Sequence, residues 1–294
     1  MPELPEVETV MRGLAPVLEG RRIEKVRLCR EGLRFPFPKG FAAGLEGARV
    51  EALSRRAKYI LAAMDNGQTL IVHLGMTGRF SVVPGAAAAR SLGVFYFEEA
   101  VASGDGPHDH VVLALDDGTR LIFTDPRRFG LMDLAETACC TEHPRLKGLG
   151  LEPLGNDFNA EAVARQFDGK KAPLKAALLD QRIIAGLGNI YVCEALFRAR
   201  LSPTRRAGSL VKRGKPDPRL EDLTRHVRAV LAEAIAAGGS TLRDFAGADG
   251  REGFFQERFD VYDRAGAPCP RCGHTITRKV QSGRSTFFCS HCQR

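Results

Sequence analysis

The stretch "CPRCGHTITRKVQSGRSTFFCSHC", residues 269–292, holds two Cys-x-x-Cys pairs with sixteen residues, 273–288, between them. Four thiolates at this spacing suit one tetrahedral ion, and zinc accepts four sulfurs without redox chemistry. Cys269, Cys272, Cys289 and Cys292 are therefore the expected ligands of one structural zinc. A site with four protein ligands keeps no open position, so the ion stabilises a segment too short to bury its own core. His274 and His291 lie beside the pairs and read as surface residues. Arg271, Arg278, Lys279, Arg284 and Arg294 make the module basic, which suits a phosphate backbone or a solvated face.

Outward from this module, the chain keeps the same charge. It has 294 residues and a formal net charge of +8, which makes a polyanion the expected partner, nucleic acid before an anionic membrane surface. The length favours two domains or one elaborate one. No stretch approaches the roughly 20 apolar residues of a membrane span, and no basic-then-apolar leader opens the chain. No membrane partner is expected. Without an export signal, clustered cysteines point to metal before disulfides. Cys29, Cys139, Cys140 and Cys193 read as ordinary thiols.

The periodicity divides the chain. Val7, Val10, Met11, Leu14, Val17 and Leu18 have helical spacing over residues 5–19. Pro5 suits the first turn, with Glu6 and Glu8 at its positive end, so Pro2 and Glu3 sit just before the helix. From 22 to 134 the pattern is mostly strand: "RIEKVRLCR", "KYILAAM", "TLIVHL", "HVVLAL", and a hairpin turning at Asp117-Gly118. This predicts a β-sandwich or barrel-like domain. The Ala/Gly/Ser-rich stretch from Pro84 to Pro107 reads as a surface excursion, with "GVFYFEE" as a small strand inside it. From about 155 the period becomes helical, in "AEAVARQF", "PLKAALLD", "NIYVCEALFRA" and "RLEDLTRHVRAVLAEAIAAGG", the last ended by Gly238-Gly239. Residues 240–257 are polar, glycine-rich and expected to move.

Several short segments ask for chemistry. If Met1 is removed from "MPELPE", Pro2 becomes a secondary amine, a nucleophile for a sugar carbon that would pass through an iminium. Glu3, when protonated, suits general-acid work, and Lys58 in "RRAKYIL" is the candidate neighbouring cation. If Met1 stays, Pro2 is a quiet amide. Met76 in "HLGMTGRF" reads alone as a core methionine. Arg127, Arg128 and Phe129 in "TDPRRFG" read as a DNA-facing wedge flanked by cations, or as a turn with Phe129 tucked inward. Asn189 in "AGLGNIYVCEALF" stands before a helix start whose free N–H groups suit a phosphate, or a plain helix–helix turn.

Taken together and in this order, "MPELPEVET", "RRAKY", "HLGMTG", "TDPRRFG", "GLGNIY" and "CPRC…CSHC" resemble the bacterial formamidopyrimidine-DNA glycosylase (8-oxoguanine-DNA glycosylase) family, from residue 2 to residue 292. The resemblance implies an α+β multidomain chain. It would have an N-terminal β-sandwich flanked by helices (1–135), a linker (136–154), a helix-two-turn-helix domain with a mobile lesion-capping loop (155–257) and a C-terminal β-hairpin zinc finger (258–294). The implied partner is damaged double-stranded DNA, bound in the cleft between the domains by a cytoplasmic, nucleoid-associated bacterial monomer, and the implied cofactor is one zinc. The oxidised purine would leave the stack before cutting.

Residue by residue, the resemblance implies Pro2 as nucleophile at C1′ and Glu3 as proton donor, with Glu6 ordering the cluster. Lys58 would bind phosphate and assist β-elimination, and Arg284 would assist δ-elimination. Met76, Arg127 and Phe129 would fill the gap left by the extruded base, with Arg127 facing the opposite cytosine. His108, Arg128, Lys171 and Asn189, together with His73 and Tyr262, would contact the DNA backbone. The loop from about Gly238 to Phe254 would close over the base. The excursion 84–107 is longer than the family pattern leads one to expect and bears on the path to His108. An endonuclease VIII-like enzyme for oxidised pyrimidines is the nearest alternative, although "PELPE" and "PRRFG" argue against it. A zinc-containing DNA-binding protein without catalysis is the alternative from another class.

Overall fold

The computed structural model describes residues 2–85, 90–92, 104–240 and 254–294. They form two compact units, Met1–Lys147 with Ile235–Phe254, and Gly148–Ala234 with Phe255–Arg294.

The first unit opens with α1 (Leu4–Leu18). Pro5 sits in the first turn, where its missing N–H costs nothing. Leu4, Val7, Val10, Leu14 and Leu18 are buried along one face, the 3.6-residue stripe expected from the sequence. Then follow β1 (Ile23–Leu28), α2 (Phe41–Leu45), β2 (Val50–Arg56), β3 (Tyr59–Met64), β4 (Gln68–His73), β5 (Arg79–Val83), β6 (Arg90–Leu92), β7 (Asp109–Leu115), β8 (Arg120–Thr124) and β9 (Leu131–Glu136). They build two antiparallel sheets, ordered β1-β7-β8-β5-β6 and β2-β3-β4-β9.

Both sheets and α1 contribute to one core, with Val10 and Leu14 of α1 beside Ile60 and Val72 of one sheet and Leu113 and Phe123 of the other. Each such side chain contributes about 1.5–3 kcal/mol when fully buried, so this shared core holds the two layers together. In β4 the residues Thr69, Leu70, Ile71 and Val72 are all buried. Leu70 and Val72 belong to the core, while on the other face Thr69 Oγ1 lies 2.9 Å from Thr137 Oγ1 in a 3-10 turn, Thr137–Glu142. Cover on both faces explains why Leu70, Ile71 and Val72 follow one another without a polar residue between them.

The β7–β8 hairpin turns at the expected residues. Gly118 takes φ +78°, and Asp117 Oδ1 accepts the Thr119 N–H at 2.9 Å. The strand expected at "GVFYFEE" lies outside the described residues. The sequence did not single out β6, which pairs with β5.

The second unit holds α3 (Ala160–Phe167), α4 (Leu174–Leu179), α5 (Asn189–Arg198), two short strands β10 (Val211–Lys212) and β11 (Lys215–Pro216), and most of α6 (Pro218–Ala236). Asn159 caps α3, its Oδ1 accepting the Ala162 N–H at 2.8 Å. Past α6, Gly238 and Gly239 adopt φ +76° and +88°, which stops the helix. The terminal hairpin, β12 (Thr277–Gln281) and β13 (Arg284–Phe288), turns through Ser282 and Gly283, both at positive φ. Such a turn matches the right-handed twist of paired strands. Ile276, Phe287 and Cys289 of this module pack with Cys193 and Phe197 of α5.

Candidate active site and nucleic-acid interface

Pro2 and Glu3 are buried at the head of α1, where the helix dipole is positive. Glu6 organises this end. Its Oε2 accepts the Glu3 N–H at 2.9 Å, and its Oε1 accepts the Ser240 N–H at 2.9 Å and the Ser240 Oγ–H at 3.0 Å. Ser240 forms a bridge with Phe254, whose N–H donates to Ala237 O at 3.2 Å. The stem of the loop expected to cover an extruded base is thus bonded to the carboxylate that holds Glu3. Residues 241–253 of that loop lie outside the described residues.

Lys58 is buried in the β2–β3 turn, after Ala57 at φ +54°. Arg55 braces this turn and α1 together: its Nη1 donates to Ala57 O at 2.8 Å and its Nε to Glu8 Oε2 at 2.7 Å. Burial pushes the Glu8 carboxyl up, but Arg55 and then Arg12 outweigh it and hold it below the usual range. His73 ends β4 with its ring 4.9 Å from that of Tyr59, and its Nδ1 accepts the Gly75 N–H at 2.9 Å. Burial, then the charges of Lys58 and Arg34, pull its pKa down to about 4. His73 is therefore neutral near pH 7 with its proton on Nε2, where it is a donor.

Met76 and the segment 127–129 lie on neighbouring loops joined by Asp125. The fully buried Asp125 carboxylate accepts the Thr77 hydroxyl and, at 2.8 Å, the Gly130 N–H. Thr77 Oγ1 in turn accepts the Arg127 N–H at 3.2 Å. Gly75, at φ +65°, lies so close to Phe129 and Gly130 that a Cβ there would meet their backbone at 2.3 Å. Met76 is half-buried, Arg127 and Arg128 are exposed, and Phe129 is 43% exposed with Arg127 stacked 4.8 Å over its ring. Phe129 is not tucked inward: the loop presents an apolar wedge between cations. Arg128 takes φ +54°. His108 is exposed, and its carbonyl accepts the Asp125 N–H at 3.0 Å. The path to His108, in question because of the excursion, is held from Gly104 onward by the Asp109 carboxylate, which accepts the N–H groups of Gly104 and Gly106 at 3.0 and 3.1 Å.

In the second unit, Arg284 is exposed at the start of β13. Its neighbour Ser285 is gripped through its carbonyl by Asn189 Nδ2 at 2.9 Å and Lys175 Nζ at 2.8 Å, and Lys175 also donates to Thr286 Oγ1 at 2.7 Å. Asn189 is the first residue of α5, with Gly188 as its cap. Lys171 is exposed and Tyr262 half-buried, the latter ring lying 5.1 Å from Phe287. The buried carboxylate of Glu194 accepts the N–H groups of Asp260, Val261 and Tyr262 at 2.9, 3.0 and 2.8 Å, and burial raises its pKa.

The four sulfurs of Cys269, Cys272, Cys289 and Cys292 lie within 4.8 Å of one another, at 4.0 Å for Cys269–Cys292 and 3.5 Å for Cys272–Cys289. A zinc–sulfur tetrahedron has edges of about 3.8 Å, so these residues fit one zinc with no open position. His274 and His291 are exposed, as expected, and stack on each other at 4.2 Å.

Sequence reasoning missed Ser240, Arg55, Asp109, Lys175 and the anchoring role of Asp125. A signal existed for Lys175, a lysine on the apolar face of "PLKAALLD". None existed for Ser240, because its partner is 234 residues away.

The family model for the formamidopyrimidine-DNA glycosylase N-terminal domain matches residues 1–132, that for the formamidopyrimidine-DNA glycosylase H2TH domain matches 149–246, and that for the zinc finger found in FPG and IleRS matches 266–294. The chain is 56% identical to the formamidopyrimidine-DNA glycosylase of Beijerinckia indica and 54% identical to that of Rhizobium meliloti, each over the whole of both chains. Among solved structures, it is 42% identical to MutM (FPG) from Thermus thermophilus, with a TM-score of 0.83, over 99% of this chain and 98% of that one. It is 30% identical, with a TM-score of 0.84 over the whole of both chains, to a Lactococcus lactis FPG point mutant in complex with a Fapy-dG containing DNA.

Proposed function

This chain belongs to the formamidopyrimidine-DNA glycosylase family, and from that membership and its site we propose a bifunctional DNA glycosylase and abasic-site lyase of base excision repair, acting on oxidised purines in duplex DNA. With Met1 removed, the Pro2 nitrogen attacks C1′ of the damaged nucleoside. The glycosidic bond breaks, its electron pair leaves with the base, and Glu3 supplies the proton that neutralises it. The Pro2 nitrogen then gives up its proton, the C1′–O4′ bond breaks and O4′ takes up a proton, so that the sugar ring opens to an iminium; this acidifies the C2′ proton, whose loss expels the 3′-phosphate. A second elimination expels the 5′-phosphate. Lys58 binds phosphate and assists the first elimination, and Arg284 assists the second.

Met76, Arg127 and Phe129 occupy the gap, with Arg127 facing the opposite cytosine. His108, Arg128, Lys171, Asn189, His73 and Tyr262 contact the backbone. Cys269, Cys272, Cys289 and Cys292 would hold one structural zinc, which would stabilise the hairpin that carries Arg284. The functional domains of this reading are 1–135, a linker at 136–154, 155–257 and 258–294, and the protein works as a monomer on DNA in the bacterial cytoplasm. No described helix is long and apolar enough to cross a membrane.

The observation that carries the reading is the head of α1, where Pro2 and Glu3 are buried together and Glu6 holds the Glu3 backbone. The test is incubation with a duplex containing 8-oxoguanine opposite cytosine, followed by borohydride. An adduct joined at Pro2 is expected. Its absence from protein whose mass shows Met1 removed, together with cleavage of a thymine glycol duplex, would move the assignment to the pyrimidine enzymes. Binding without turnover of either lesion would leave a DNA-binding protein.

A further inference from the structure

We propose that a pocket beside Phe129 receives a nucleotide of the undamaged strand, with Arg34 as its phosphate ligand and Leu33 as its apolar wall. This rests on the glycosylase reading above. The pocket, of about 460 Å³, is lined by Leu33, Arg34, Arg127, Arg128 and Phe129. That volume falls in the range of small-molecule sites. It pairs apolar surface for a base or sugar with guanidinium groups that match a phosphate in bidentate fashion.

The wall is built, not floppy. Leu33 N–H donates to Phe35 O at 3.0 Å and Phe37 N–H to Glu31 O at 3.0 Å, while Gly32 lies so close that a Cβ would meet Phe35 O at 2.5 Å. The Arg34 N–H donates to Gly130 O at 3.1 Å, which pins this loop to the segment carrying Phe129. Phe35 is 39% exposed, with Arg145 at 3.9 Å and Arg34 at 5.5 Å from its ring centre.

Charge points the same way. Elsewhere arginines meet carboxylates, as in Arg55–Glu8, Arg198–Glu233 and Arg219–Asp217. Among the described residues Arg34, Arg127, Arg128 and Arg145 form no salt bridge, so four cations converge without an internal counter-charge. Such a cluster favours a polyanion. The strand follows from the shared lining: Arg127 and Phe129 face the base opposite the lesion, so the nucleotide beside them belongs to the intact strand. Neither Leu33 nor Arg34 is among the residues that the motifs point to.

The test combines Arg34→Ala and Arg34→Lys with a scan of single methylphosphonates along the intact strand, three positions to either side of the opposite cytosine. At one position the neutral linkage should weaken wild-type binding by about tenfold, roughly one charge-assisted contact. The same linkage should leave Arg34→Ala unaffected. Arg34→Ala should also reduce the salt slope of log K by about 1, and Arg34→Lys should recover the slope but not the full affinity. Wild-type indifference to every intact-strand substitution would overturn the proposal without requiring any variant to fold. So would unchanged sensitivity in Arg34→Ala. Failure of the glycosylase reading is distinct, since wild-type protein would then leave the 8-oxoguanine duplex uncut even where every linkage is an ordinary phosphate.

Discussion

Replacing Gly75 by alanine tests how the wedge is held. Gly75 sits at φ +65°, and an added Cβ would lie 2.3 Å from Gly130 N and from the Phe129 carbonyl carbon. Both are backbone atoms, so no flexible side-chain end can swing away. The loops must part by about 0.7 Å before the contact reaches even the 3.0 Å that real Cβ atoms respect. The left-handed conformation costs an alanine about 1–2 kcal/mol, and overpacking against fixed atoms adds roughly 1–3 kcal/mol. Thermal unfolding should fall by about 5–15 °C. Phe129 is carried on the displaced segment, and a shift near 1 Å at a positioning residue costs up to about 100-fold in rate. Single-turnover excision of 8-oxoguanine should therefore drop by about 10–100-fold. Cleavage at a preformed abasic site, where no base need be extruded, should drop less. Gly67→Ala is the control, because Gly67 has φ +78° with nothing within 4 Å of the added carbon. It should show the conformational cost alone and normal excision. Gly75→Ala with wild-type melting and excision within twofold of wild type would refute the reasoning.

Other outcomes follow from the same contacts. Lys175→Met removes an ammonium that grips Ser285 O and Thr286 Oγ1 beside Arg284, so gel analysis of products should show β-elimination accumulating over δ-elimination while base excision stays within a fewfold. Chelation of zinc, or Cys272→Ser, should unfold the terminal hairpin and abolish tight duplex binding by gel shift, while the two-sheet unit keeps its far-ultraviolet signature. His73 has its folded pKa lowered to about 4, so below its ordinary value of about 6.5 the unfolded chain binds the extra proton. Its contribution is intact above about pH 6.5 and is lost as pH falls toward 4, on the order of 2 kcal/mol given its partial exposure. Urea unfolding of wild type and His73→Gln should therefore converge between pH 7 and pH 4. Glu194→Gln leaves a single acceptor for three N–H groups, and melting of the second unit should fall by the order of 3 kcal/mol.

Much of this molecule is legible in its sequence because the relevant signals are local. The four cysteines need only their spacing, since each Cys-x-x-Cys turn presents two sulfurs to one point. Helix α3 occupies the residues that its periodicity marks, and the β7–β8 turn falls on Asp117-Gly118 because Gly118 accepts a positive φ. The motif residues Pro2, Glu3 and Lys58 are legible as candidates, but not their burial, which depends on α1 packing against β2 and β3.

What the chain could not declare locally is who holds whom. Nothing in "TDPRRFG" marks Asp125 as more than a loop residue, yet it is the buried anchor joining the loop of Thr77 to that of Gly130. Ser240 reads as the edge of a polar loop, yet both of its donors meet Glu6. Phe129 had two equal readings until its exposure separated them. Composition and spacing determine which chemical groups are present and which short elements form. Long-range closure of the core decides which of those groups lose water and which must then find a partner, because an unpaired polar group in the interior costs more than the bond itself contributes.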